Sequence, residues 1–314
     1  MRTHLENAAE FFIPSPMVER LHERVIQWTW CGYTGGVIAG SSRCGKSTAL
    51  RALDHAITTR DGESIPLFRV TYGERDATTI RSVFNKVARS LGFKVKTSHR
   101  SDDLVEMICV ALADAAAINR TRQVILVVDE AQILTIQQLS GFAEIFNVLY
   151  ELHTNVVIIF AVNSDQFQPL AEQLLQKKNT YLRERFFSQV YEFYGIQTES
   201  ELASCLRAYA NHVMDNDRRI SAWQWYCPAL DKLGWTLDQI AEPYWRLYDE
   251  HYREPLGQTS WPMAQFVRAT NILLMDYLSN VTDLEDSDYV EGCIIHSLEA
   301  AGIRPSLANI TAMK

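Results

Sequence analysis

The stretch Gly40-Ser41-Ser42-Arg43-Cys44-Gly45-Lys46-Ser47, together with what flanks it, decides the fold. It matches G-x-x-x-x-G-K-[ST] in full. Before it runs Gly35-Gly36-Val37-Ile38-Ala39, a short apolar segment that reads as a strand. After it, Lys46 to about Ile57 reads as a helix. Strand, glycine-containing turn and helix in that order form a loop whose backbone N–H groups, with the helix N-terminus behind them, can surround phosphate. Lys46 then reaches the β and γ oxygens, and Ser47 ligates Mg²⁺. The loop residues assigned to the nucleotide are Gly40, Ser41, Ser42, Arg43, Cys44, Gly45, Lys46, Ser47 and Thr48.

Outward from the loop, short apolar runs alternate with amphipathic stretches. Pro66 to Tyr72 is a strand, Thr78 to Leu91 and Asp102 to Ile118 are helices, and Val124 to Val128 is a continuous apolar run. Such a run is a strand buried on both faces. Leu139, Phe142, Phe146, Leu149 and Leu152 recur at spacings of three and four, which predicts a helix with one apolar face. Val156 to Val162 is a further buried strand and Gln189 to Tyr194 a shorter one. The pattern predicts a three-layer α/β domain with a mainly parallel sheet. Beyond about Thr198 the strands stop and the remainder reads as helical. That part holds five of the seven tryptophans (Trp223, Trp225, Trp235, Trp245, Trp261), which either meet a partner or pack the helices.

Asp129-Glu130 ends the buried strand Val124 to Val128. There Asp129 would hold the Mg²⁺ shell and Glu130 would polarise the attacking water. Asn163 directly follows Val162, which puts its amide at the carboxyl edge of the sheet, where open α/β folds bind ligands. It either contacts the γ-phosphate or lytic water, or simply forms a turn. In Tyr181-Leu182-Arg183-Glu184-Arg185-Phe186 two arginines precede the last strand. Arg185 first, and Arg183 second, is the candidate for a charge delivered to a neighbouring subunit's nucleotide. Pairing within the chain to Glu184 or Glu192 is the alternative.

These elements, in this order, resemble an AAA+ ATPase over roughly residues 10 to 280. The resemblance implies ATP and Mg²⁺ as ligands, and a P-loop NTPase (AAA+) α/β domain with a parallel sheet plus a C-terminal helical lid domain. The expected division is a lead-in segment and helix over 1–30, the nucleotide-binding domain over 31–195, the lid with its aromatic-rich insertion over 196–280, and a C-terminal helix and tail over 281–314. Within the superfamily, Phe12-Ile13-Pro14-Ser15-Pro16 and the compact Asp129-Glu130-Ala131-Gln132 box resemble the TnsC/TniB group of transposition regulators, including those of CRISPR-associated transposons. That narrower resemblance implies rings or filaments of the chain on double-stranded target DNA when ATP is bound. It also implies recruitment of transposase subunits to a site chosen by a target-selection complex, and a reset by hydrolysis. Where a nucleotide-sensing lid arginine is expected, near Trp261-Pro262, the chain has Met263, with Arg268 further along.

Composition bounds these readings. The chain has 314 residues, 47% hydrophobic and 22% charged, the balance of a globular protein of about two domains. Its net charge is −8, so DNA must be met by a local basic strip. The cluster in the nucleotide-binding half is Lys94, Lys96, His99 and Arg100; a solvated loop with no ligand is the alternative. Repetition around a ring would multiply one weak strip. Six scattered cysteines without a C-x-x-C pair, no basic-then-apolar N-terminal segment and no long apolar run predict a cytoplasmic protein with no membrane partner. The acidic run Asp283 to Asp288 leads to an apolar helix-like stretch and a tail ending at Lys314, which either docks a transposase or frays.

Four other functions use parts of the same signal. A helicase-loader or initiator ATPase would share every nucleotide residue. A nucleotide-gated scaffold with negligible turnover would not need Glu130. Guanine specificity is disfavoured because Asn163-Ser164-Asp165-Gln166 is not N-K-x-D, and a small-molecule kinase leaves Asp129-Glu130 and the helical C-terminal part less explained.

Overall fold

The computed structural model describes residues 5, 11–54, 56–73, 79–215, 217–281 and 283–302. These fall into two compact units, one built from the described residues of Arg20–Ser42 and Lys46–Phe193, the other from those of Met1–Glu19, Arg43–Gly45 and Tyr194–Lys314. The chain runs through α1 (Pro16–Trp30), β1 (Gly35–Gly40), α2 (Lys46–Ala52), β2 (Leu67–Thr71), α3 (Ile80–Ser90), α4 (Ser101–Ala116), β3 (Gln123–Asp129), α5 (Ile136–Glu151), β4 (Asn155–Asn163), α6 (Ser164–Leu174), α7 (Thr180–Phe186) and β5 (Val190–Glu192).

The five strands form one parallel sheet in the order β2-β3-β4-β1-β5. Central position explains composition: Val124 to Val128 and Ile158 to Val162 have no measurable exposure, because helices cover both faces. Register positions the strand ends. Gly40 lies opposite Asn163 and Thr71 opposite Asp129, so β1, β3 and β4 finish at one carboxyl edge. Gly36 in β1 is required by close packing, since a Cβ there would stand 2.7 Å from the Trp28 ring of α1.

The helix predicted from Lys46 to about Ile57 stops at Ala52. By Ile57 the chain is already extended: its carbonyl accepts from Ile65 and Thr58 bridges Ser64. α5 starts at a capping box in which Thr135 accepts from the Gln138 backbone and Gln138 returns to the Thr135 backbone. It buries Leu139, Phe142 and Leu149 as the periodicity predicts, and Phe142 meets Phe160 edge-on at 5.4 Å. Each such ring contributes about 1.5–3 kcal/mol of burial. Leu152, however, is exposed, because it lies at the C-cap beyond the last turn.

The second unit contains α8 (Glu199–Ala210), β6 (Val213–Asp215), β7 (Ile220–Ser221), α9 (Ala222–Tyr226), α10 (Pro228–Lys232), α11 (Ala241–Tyr248), α12 (Met263–Ile272) and α13 (Ser287–Ala300). The expectation that strands stop near Thr198 is corrected here, since β6 and β7 pair antiparallel. The hairpin is made by its turn rather than by apolar alternation. Asp215 Oδ1 accepts from the backbone of Asp217 and Arg218, and Arg219 takes a left-handed φ of 52°. The tryptophans mostly pack helices. Trp261 stacks on Tyr248 at 4.0 Å and meets Tyr244 and Phe266 edge-on, while Trp223 donates to the Trp235 carbonyl at 2.8 Å. Trp225 is partly exposed. The acidic run leads into α13 as expected, with Asp286 capping its first turn, whereas the tail ending at Lys314 lies outside the described residues. Among the described residues no helix is long and apolar enough to cross a membrane, and no disulfide joins two cysteines.

Candidate nucleotide site

The loop after β1 has the backbone its glycines permit. Gly45 adopts φ 103°, a conformation open to glycine, and Arg43 sits at φ 63°. Lys46 opens α2 with its side chain buried, and its ammonium donates to the Val162 carbonyl at 2.7 Å and reaches the Gly40 carbonyl at 3.4 Å. A buried ammonium carries three donors. Here two are held by carbonyls at the ends of β4 and β1, where phosphate oxygens would be better acceptors.

Ser47 Oγ donates to Asp129 Oδ2 at 2.9 Å, a contact spanning 82 positions of sequence. A hydroxyl and a carboxylate side by side are hard oxygen donors that suit Mg²⁺, which takes one or two carboxylates and completes its shell with phosphate and water. The residues therefore fit the ion. Among the described residues there is no cluster of three His, Cys, Asp or Glu side chains able to hold a metal by themselves.

Glu130 turns off the end of β3 in a left-handed conformation, φ 58° and ψ 35°. For a residue with a Cβ this costs roughly 1–2 kcal/mol. The strain is offset locally by the Glu130 N–H, which donates to Asp129 Oδ1 at 3.0 Å. The two adjacent carboxylates have different partners, Asp129 the Ser47 hydroxyl and Glu130 the Gln132 amide. Asn163 caps α6, its Oδ1 accepting from the Asp165 N–H at 3.1 Å. This bond is the turn-forming one of its two expected roles, and the residue also stands at the strand end beside Val162, whose carbonyl holds Lys46. Lys46, Ser47, Asp129, Glu130 and Asn163 are brought together by this network.

Arg183 and Arg185 are not part of it. Both lie on α7, where the Thr34 hydroxyl donates to the Arg185 carbonyl at the residue preceding β1. β1 is six residues long, or roughly 20 Å at about 3.3 Å per residue, and the phosphate-binding loop leaves its far end. The Arg185 guanidinium lies 4.7 Å from the centroid of the Phe146 ring and donates to Asn147 Oδ1 at 2.9 Å. Its partners are thus on α5, in place of the Glu184 or Glu192 that neighbouring sequence suggests. Arg268 donates to the carbonyl of Ala301, the C-cap of α13, at 3.0 Å, a use typical of arginine at a helix end.

The basic cluster forms the connection between α3 and α4. Lys94, Lys96 and Arg100 are exposed, while His99 turns inward so that its Nδ1 accepts from the Lys96 N–H at 3.4 Å. Arg81 of α3, which sequence reasoning missed, braces the loop by donating to the carbonyls of Thr97 and His99 at 2.8 and 2.9 Å. Its signal was its place one residue into an amphipathic helix, which does not reveal a bond to a loop 16 positions away.

A family model described as AAA domain matches residues 32–170, the stretch that runs from just before β1 into α6. No curated protein matches the chain. Among solved structures, the chain is similar to Cdc6p from Pyrobaculum aerophilum, with 13% identity over 98% of this chain and 87% of that one and a TM-score of 0.43. It is also similar to the Aeropyrum pernix Orc1 protein in complex with DNA (15% identity, 98% and 84% covered, TM-score 0.43). A third similarity is to the E. coli MS115-1 HORMA:CdnC:Trip13 complex (12% identity, 98% and 99% covered, TM-score 0.48).

Proposed function

We propose that this chain is a Mg²⁺-dependent ATPase that assembles with copies of itself on duplex DNA and is reset by hydrolysis. The observation that carries the reading is the contact of Ser47 Oγ with Asp129 Oδ2, beside the buried Lys46 ammonium and one residue from Glu130. The loop amides surround the phosphates, and Lys46 exchanges its two carbonyl partners for β and γ oxygens. Ser47 and Asp129 would hold Mg²⁺, which when bound would supply charge neutralisation at the phosphates. Glu130 takes the proton of the attacking water, and Asn163 orients water or γ-phosphate from the end of β4. Arg185, far from its own loop, serves the nucleotide of a neighbouring copy, with Arg183 on the same helix as the second cation.

Lys94, Lys96 and Arg100 contact the DNA backbone, in keeping with a chain whose overall charge repels it. The finer reading is regulation of transposition, in which the assembly recruits transposase subunits to a site marked by a target-selection complex. Its support is the resemblance of residues 12–16 and 129–132 to the TnsC/TniB group. An initiator or helicase loader uses the same nucleotide residues, and the protein recruited separates the two.

The test is turnover and assembly of Glu130→Gln and Lys46→Ala beside the unaltered chain, with phosphate release measured and particles imaged on duplex DNA with ATP and Mg²⁺, with ADP, and without nucleotide. Glu130→Gln is expected to bind ATP, retain assembly and lose turnover by about 10²–10⁴-fold. Lys46→Ala is expected to bind no nucleotide. Normal turnover in Glu130→Gln overturns the hydrolytic assignment, and a monomer indifferent to ATP and DNA overturns the assembly.

A further inference from the structure

Gln132, two residues past Glu130, has no task in the scheme above. Its Nε2 donates to Glu130 Oε2 at 2.6 Å, while its Oε1 accepts the backbone N–H of Asn163 at 2.9 Å. The same Nε2 lies 3.5 Å from Oε1 of Gln166 on α6. One amide side chain thus ties the carboxylate at the end of β3 to the backbone at the end of β4. Only a side chain that donates and accepts at once can do this, and a glutamine amide carries both functions at fixed separation.

Two tasks are compatible with that placement. Gln132 could serve the Asn163 N–H alone, completing the hydrogen bonding of a strand end. For that a carbonyl oxygen suffices, and the donation to Glu130 would be incidental. The second bond is the shorter one, however, and it is charge-assisted, the stronger class of hydrogen bond. It also engages a residue whose left-handed backbone already restricts where its carboxylate can point.

We infer that Gln132 is a positioning residue for hydrolysis: it anchors one oxygen of the Glu130 carboxylate, leaves the other to receive the proton of water, and couples that placement to Asn163. This rests on Glu130 acting as the base. A carboxylate on a flexible side chain reaches a productive pose in only a fraction of its rotamers. Fixing it acts on the chemical step and leaves ATP binding at the loop untouched.

The experiment compares Gln132→Ala, which removes both bonds, with Gln132→Glu. The second is equal in size, keeps an acceptor for the Asn163 N–H, and sets a carboxylate against Glu130 in place of the donor. Steady-state ATPase assays with ATP and Mg²⁺ on the full chain give kcat and KM, and thermal unfolding confirms that each variant is folded. Both variants are expected to lose about tenfold to a hundredfold in kcat, the usual effect of removing a partner that orients an active group, with KM for ATP within about twofold. In a Glu130→Gln background, followed by single turnover, neither should add its full loss, since the group it acts on is gone. A Gln132→Glu variant with unaltered kcat beside an impaired Gln132→Ala would assign the side chain to the strand end and overturn the inference. So would unaltered kcat in both. Unimpaired turnover in Glu130→Gln itself would instead remove the proposed base, a result distinguishable because it needs no change at position 132.

Discussion

Arg185 illustrates how one residue's neighbours decide what it can do. Its guanidinium lies over the Phe146 ring and donates one hydrogen bond to Asn147, 38 positions earlier in the chain. Lying over the ring while donating sideways uses the planar, delocalised shape of the group, which a lysine ammonium lacks. Arg185→Lys is therefore expected to behave like Arg185→Ala, with turnover in the assembled state lowered by at least about 10²-fold and ATP binding unchanged. Mixing tests the in-trans role. Chains carrying Arg185→Ala keep an intact phosphate-binding loop, and chains carrying Lys46→Ala keep the arginine. Combined in equal amounts they should regain ATPase activity that neither has alone, whereas a mixture as inactive as its components would show that the arginine does not act across subunits.

At the scale of elements, the connection between α3 and α4 is shaped from within α3. Arg81 fastens two carbonyls of the loop, which leaves Lys94, Lys96 and Arg100 outward and His99 turned in. Of the four cluster residues read from the sequence, three therefore remain available to phosphate. Replacing Lys94 and Lys96 by Glu should weaken binding to all duplexes about equally and reduce the slope of log affinity against log salt by roughly two, about 0.9 for each phosphate no longer neutralised. Equal slopes for variant and parent would remove these lysines from the DNA surface. Element boundaries follow the same logic of local chemistry. Thr135 and Gln138 begin α5 where a capping box can form, and α2 ends early because Ile57 and Thr58 are drawn into pairing with Ile65 and Ser64.

For the molecule as a whole, each compact unit has its own core. The sheet unit is centred on β3 and β4, and the helical unit on Trp261. In the latter, Ile196 and Trp261 exchange both backbone hydrogen bonds, at 2.9 and 2.7 Å, and this brings the chain at Gly195 against the Trp261 carbonyl. A Cβ at position 195 would stand 2.0 Å from that oxygen, a distance no packing adjustment of side chains relieves because the obstacle is backbone. Gly195→Ala is expected to cost about 2–4 kcal/mol and to lower Tm by several degrees, measured by thermal unfolding. An unshifted Tm would mean the bridge between Ile196 and Trp261 is dispensable.

Much of this protein was legible in the chain itself. Val124 to Val128 and Val156 to Val162 announce strands covered on both sides, because only a central parallel strand tolerates apolar residues at every position. The loop Gly40 to Ser47 is equally legible, since its glycines and lysine answer to phosphate geometry rather than to a particular core. Other features depend on contacts between residues far apart in sequence, and these only the tertiary structure decided. The strand order brought Asp129 to Ser47 and Asn163 to Gly40. Packing of α7 on α5 gave Arg185 its partners, and the β6–β7 hairpin came from one aspartate holding a turn, a signal too short for periodicity to register. Gln132 shows the difference most directly. As a residue it is one more polar side chain after an acidic pair, and only the meeting of two strand ends turns it into a link between them.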